Sequence, residues 1–181
     1  MKKIMFNDKY GLTQAVLEGR KTQTRRTFLK PGEETMLKGI TQEYLISVRS
    51  RYKVGETVAI AQPYADITPQ VDWVKCMIRK ETLGWNNKMF VRAEDMPHHI
   101  RITKIRIERL QDISDEDCIK EGIWRDDNVG LEGTTYWYHG LANSSFRTPQ
   151  EAYASLIDRI SGKGTWASNP YVFVYDFELI N

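Results

Sequence analysis

The segment Gly19-Arg20-Lys21-Thr22-Gln23-Thr24-Arg25-Arg26 carries the densest chemistry in this chain. Five of the twelve residues from Gly19 to Lys30 are basic, and hydroxyls are interleaved with the charges. Arginine forks and threonine hydroxyls of this kind hold phosphates or carboxylates. The same residues can build a nucleophile, because a threonine hydroxyl becomes reactive only with a base beside it. Lys21 supplies such a base if burial or neighbouring arginines lower its pKa. A basic, threonine-rich strand can equally be a solvated sheet edge.

The elements around this segment read as a succession of short pieces without repeats. Leu12, Ala15 and Val16 fall on one face of a helix over 10–18, with Gly19 as its stop. Residues 21–28 are extended, 42–48 fit either helix or strand, and 57–61 form a strand ended by Pro63. Val71–Cys76 and Lys88–Val91 read as short strands. Ile100, Ile102, Ile105 and Ile107 predict a long strand over 99–110, bulged near Thr103-Lys104 where the apolar spacing slips from two to three. Ser114 caps a short acidic helix through Glu121, stopped by Gly122. Thr148-Pro149-Gln150-Glu151 is a capping box opening a helix with Ala152, Tyr153, Leu156, Ile157 and Ile160 on one face. Tyr171–Leu179 is a strand. Strands with few, unevenly placed helices predict an α+β domain on a small barrel or curved sheet.

Composition bounds the function. The chain has 181 residues, 41% hydrophobic and 28% charged, which is one soluble domain by size. No apolar run approaches a membrane span, and Asn7-Asp8 interrupt any signal-peptide core, so a cytoplasmic protein is expected. Cys76 and Cys118 form no Cys-x-x-Cys pair, and buried thiols are expected. The net charge of +2 hides an asymmetry. Residues 1–55 carry 12 Lys and Arg against 5 Asp and Glu, which suits a polyanionic or phosphate-bearing partner, or else a solvated basic face.

The Gly19-Arg20-Lys21-Thr22-Gln23-Thr24 segment resembles the Gly-x-Lys-x-x-Thr signature of the ASCH superfamily. Val54-Gly55-Glu56-Thr57-Val58, the Ile102–Ile107 strand leading into Leu110-Gln111-Asp112-Ile113-Ser114, and the Gly162–Val172 ending are similar to that family in the same order. The ending resembles its longer, phage- and prophage-associated branch. The resemblance implies an α+β fold of the PUA-like type, a small β-barrel with flanking short helices. It implies one domain over 1–181 with insertions at about 66–97 and 124–148, and RNA or a modified nucleoside as partner. One branch of the family removes the acetyl group of N4-acetylcytidine. Carried over, Thr24 is the nucleophile, Lys21 the base, and Glu121 either orients the lysine or protonates the leaving amine. Arg20, Arg25 or a backbone N–H would stabilise an oxyanion. For Lys21 and Thr24 to meet, the chain near Gly19 must be irregular, since residues three apart face opposite sides of a strand.

Gln62 stands where the longer branch carries an acid, and a Gln there can read a base edge. Arg26 joins the ligand set, with Tyr64 and Trp124 as stacking faces and Arg101 as a phosphate contact. A non-catalytic phage-accessory protein with a vestigial pocket is the alternative. Neither a cofactor nor a metal is expected: His98-His99 point apart on a strand without partner ligands. Gly162-Lys163-Gly164-Thr165 lacks phosphate-loop spacing and reads as a helix-ending turn.

Overall fold

A computed structural model of the chain describes residues 1–29, 39–67, 83–127, 133–140 and 145–180. Its frame is a five-stranded sheet in the order β1-β3-β4-β7-β2. These strands are β1 (Lys2–Ile4), β2 (Gln23–Thr27), β3 (Thr57–Ile60), β4 (His99–Arg109) and β7 (Tyr171–Ile180). β1 runs parallel to β3, and every other pairing is antiparallel. A separate pair joins β5 (Trp124–Asp126) to β6 (Thr135–Trp137). The fold is therefore mixed α+β. The two end strands of the sheet approach through a side chain, since Arg26 of β2 donates to the Met5 carbonyl just after β1 at 2.6 Å.

The spacing slip in β4 is a bulge. Its register against β7 shifts between Ile102 and Lys104, leaving Thr103 as the extra residue. Ile100 and Ile102 before it, and Ile105 and Ile107 after it, are thereby all turned into the core. β3 is buried on both faces. Val58 and Ile60 join the main core with Val16, Leu110, Leu156 and Val174, while Ala59 and Ala61 pack with Tyr64, Ile67 and Met96 in a second cluster.

The helices begin and end on local signals. They are α1 (Leu12–Leu17), α2 (Gln42–Arg49), α3 (Tyr64–Ile67), α4 (Asp115–Lys120), α5 (Pro149–Ser161) and α6 (Thr165–Ser168). The ambiguous stretch at 42–48 is helical, capped by Thr41, whose hydroxyl accepts from the Tyr44 amide. Thr148 and Glu151 form the reciprocal capping box of α5. After α5 the Gly162–Thr165 turn serves helix ends, because the Asp158 carboxylate accepts from the Gly164 and Trp166 amides. Ser114 caps α4 by accepting from the Asp117 amide at 3.2 Å. Ser114→Ala should therefore lower stability by about 1 kcal/mol, readable as a shift of the urea midpoint.

One expected strand is absent. Lys88–Phe90 is a short 3₁₀ turn, because the Asn87 side chain accepts from the Met89 amide and closes the chain on itself. The expected strand at Val71–Cys76 lies outside the described residues. Cys118 is buried, and burial pushes its thiol up to about 12, so it is an inert core residue. Among the described residues, no helix is long and apolar enough to cross a membrane.

Candidate functional site

The irregular chain between α1 and β2 positions Lys21. Gly19, with φ of 73°, turns the chain out of the helix. The Arg20 and Lys21 amides then both donate to the Ala15 carbonyl at 2.9 Å. Thr22 donates to the Lys120 carbonyl at 3.0 Å, tying the segment to the end of α4. Glu121 caps that helix, and Gly122 beyond it has φ of 104°. A Cβ on Gly122 would sit 3.2 Å from Leu12 Cδ2 and 3.7 Å from Lys21 Cδ, so the turn also leaves room for the lysine stem.

Residues 100 positions apart thus meet in the interior. Lys21 is 2% exposed and Glu121 4%. The Lys21 ammonium donates to Glu121 Oε2 at 2.5 Å, to the Gln23 carbonyl at 2.7 Å and to the Glu121 carbonyl at 2.9 Å. All three of its N–H groups are occupied. Burial lowers the Lys21 pKa from its ordinary 10.5, against the raising effect of Glu121.

Arg25 joins the other carboxylate oxygen. Its guanidinium donates to Gln23 and Glu121 through Nη1, to Glu108 and Asp117 through Nη2, and to Glu108 through Nε. Those five hydrogen bonds use every N–H that an arginine has. Arg106 extends the network to Glu108, Asp176 and Asp117. Arg25 is therefore an internal tie between β2, β4 and α4. It has no donor left for an oxyanion.

The network carries a pH signature. Burial pushes the Asp117 carboxyl up, but hydrogen bonding and charge from Arg25, with Lys120 and Arg106, hold it below its ordinary 3.8. Its folded pKa lies below the unfolded one, so the unfolded chain takes up protons first on acidification. The stability from Asp117 is present above pH 3.8 and is lost as pH falls through the folded pKa. Asp117→Asn should be less stable than the parent at neutral pH. The gap should close in urea titrations taken below pH 3.8.

A cavity of about 460 Å³ opens beside the Lys21–Glu121 pair. One wall is apolar, from Phe6, Leu12, Leu156 and Ile157; Lys21, Thr24, Arg26, Glu121 and Tyr153 line the polar side. β2 is an end strand, and its unpaired edge borders this space, so residues from both strand faces reach it. No buried side-chain nitrogen or oxygen among the described residues lacks a partner, and neither the Thr24 nor the Tyr153 hydroxyl has one. Both hydroxyls therefore open into the cavity. Burial raises the Tyr153 pKa well above 10.0, keeping it a neutral donor. Tyr153 reads from sequence as core on the apolar face of α5. A tyrosine whose polar tip needs a partner is the one signal of its second role.

Five expected ligand residues lie elsewhere. Arg20 pairs with Glu18 and sits 3.8 Å over Trp124, which stacks on Trp137 at 5.1 Å. Arg20 and Trp124 line a different cavity of about 290 Å³ with Tyr10 and His139. Gln62 is paired to His98 Nδ1 at 2.8 Å in another cavity, bordered by Asp8 and Asp66. Tyr64 is buried in the second core cluster, donating to Asp95 and accepting from the Arg92 amide. Arg101 is exposed and paired with Glu178 at 3.3 Å. The cause is geometric: Gln62 and Tyr64 follow β3, which leads away from the β2 edge of the sheet. Among the described residues no group of three or more His, Cys, Asp or Glu is arranged to hold a metal.

No protein-family model matches the chain, and no curated protein matches it. Two solved structures are similar over most of its length. Protein EF3133 from Enterococcus faecalis V583 is 15% identical with a TM-score of 0.43, covering 99% of this chain and 80% of that one. An ASCH domain from Lactobacillus crispatus JV V101 is 12% identical with a TM-score of 0.37, covering 93% of this chain and 69% of that one.

Proposed function

We propose that the cavity between β2, α4 and α5 binds a modified nucleoside and hydrolyses the amide of an N4-acylated cytosine. The observation that carries this reading is the buried Lys21–Glu121 pair lining the same cavity as an unpartnered Thr24 hydroxyl. A cavity of about 460 Å³ lies within the range of small-molecule sites. Its apolar wall suits the flat face of a base. Arg26 has one N–H on Met5 and others free for the acyl oxygen.

The chemistry requires a neutral lysine. Burial favours the uncharged amine, so Lys21 gives its proton up to solvent below its ordinary pKa, while Glu121 Oε2, at 2.5 Å, keeps the nitrogen in place. Thr24 Oγ then bonds to the acyl carbon while its proton goes to Lys21. The carbon–N4 bond breaks as that proton is delivered to N4, releasing cytidine. Water attacks the threonine ester and passes a proton to Lys21, which returns it to Thr24 Oγ as the carbon–oxygen bond breaks and the acid is freed. Arg25 orients Glu121, with all of its own donors held by protein groups.

Since only the neutral lysine accepts a proton, turnover should rise with pH, with an inflection below the ordinary lysine value of 10.5. The test is to incubate the protein with N4-acetylcytidine and follow cytidine by chromatography across pH. Cytidine formed with that profile is the expected result. Binding without turnover would remove the hydrolytic step and leave a reader of modified bases. Neither binding nor turnover would overturn the assignment of the cavity.

A further inference from the structure

A second cleft, of about 280 Å³, adjoins the first and shares Met5, Arg26 and Thr27 with it. Its other charged lining residues are Lys3, Arg49 and Arg51, and among the described residues that line it none is acidic. Lys3 is held in place by the carbonyls of Lys88, Met89 and Val91. The three arginines differ from it. Arg49 and Arg51 are exposed and have no hydrogen-bonded or ion-paired side-chain partner among the described residues, and Arg26 has only Met5. Arg51 stands 5.6 Å over the Tyr52 ring, a contact that uses none of its N–H donors in a hydrogen bond.

The contrast with the interior is informative. Arg25, one residue before Arg26, has all five donors satisfied by protein groups. Arg26, Arg49 and Arg51 line one cleft from β2 and the end of α2 with no acidic partner among the described residues, and like charges brought together repel. Such an arrangement is stabilised by an anion with several oxygens, the geometry of a phosphate. Because Arg26 also lines the base cavity, the phosphate would be joined to the base through a sugar.

We infer that the Arg26–Arg49–Arg51 cleft is a phosphate subsite of the same binding site, so the ligand is a nucleotide, free or within a strand, and not a bare nucleoside. This rests on the reading of the first cavity as a base site. Arg26 sits at the junction and serves both compartments.

The test compares binding of N4-acetylcytidine, its 5′-monophosphate, an RNA trinucleotide with N4-acetylcytidine at the centre, and the same trinucleotide with plain cytidine. It uses the full chain and the R49Q/R51Q variant, at several salt concentrations. The phosphorylated probes should bind about tenfold or more tightly than the nucleoside at low salt, and R49Q/R51Q should lose most of that ratio. For the trinucleotide, with two phosphates, log affinity should fall against log salt with a slope of about −1.4 in the parent and less steeply in the variant. R125Q removes a charge from the two-stranded sheet and should leave the ratio as in the parent, which separates local contacts from net charge. A gain already complete with the monophosphate marks a free nucleotide, and a gain only with the trinucleotide marks a strand; both support the subsite. Phosphorylated probes binding no better than the nucleoside, or a ratio retained in R49Q/R51Q, would overturn it. Trinucleotides that bind equally with and without the acetyl group, while the nucleoside does not bind, would leave the subsite standing and remove the base-cavity reading.

Discussion

Replacing Glu121 with alanine is expected to destabilise the protein by about 3–5 kcal/mol, the scale on which a buried ion pair is broken from one side. Two cations depend on this carboxylate, Lys21 at 2.5 Å and Arg25 at 3.1 Å, and both are buried. Lys21 would keep two backbone carbonyls, while Arg25 would keep Gln23, Glu108 and Asp117. The larger part of the loss is therefore assigned to Lys21. The double variant K21M/E121L separates the charge effect from the packing effect. It replaces both members by apolar side chains and should recover much of the loss, because the desolvated charges go together. Urea denaturation of the three proteins measures this. Equal stability of the parent and Glu121→Ala would show that the pair does not organise the interior.

Thr24→Val is expected to abolish turnover of N4-acetylcytidine by on the order of 10⁴-fold, the scale on which losing one member of a nucleophile–base unit is felt. The substitution keeps the β-branched shape on β2, where Thr24 pairs with Tyr175, and removes only the hydroxyl. That hydroxyl has no hydrogen-bond partner in the protein, so its loss leaves no internal group unsatisfied and stability should change little. Nucleoside binding should persist. A valine variant that still releases cytidine would exclude Thr24 as the nucleophile. Water activated by Lys21 would then be the attacking group.

The two predictions lie on different levels of legibility. Thr24 and Lys21 are close in the chain, and their irregular setting follows from Gly19, whose positive φ ends the helix and shifts Lys21 out of the strand. The caps at Ser114 and Thr148 and the bulge after Ile102 were readable for the same reason. Each is decided by hydrogen bonds or spacing within a few residues. Arg25 was not readable in this way. An arginine among threonines looks like a ligand residue until Glu108, Asp117 and Glu121, from β4 and α4, are found to occupy all its donors.

Arg20 and Trp124 likewise satisfy each other, and Tyr153 is distinguished from its core neighbours only by where its hydroxyl opens. The amino-acid sequence by itself determined the longer elements, the caps at Ser114 and Thr148, the bulge and the placement of basic chemistry in the first third of the chain. Those properties depend on local backbone geometry and on the period of apolar residues. Only the tertiary structure decided which charges face each other, which face a cavity, and which remain unpaired at its mouth. The physical reason is that a charged side chain has no fixed role of its own. Its protonation, its free donors and its access to a ligand are set by partners that the sheet brings from distant parts of the chain.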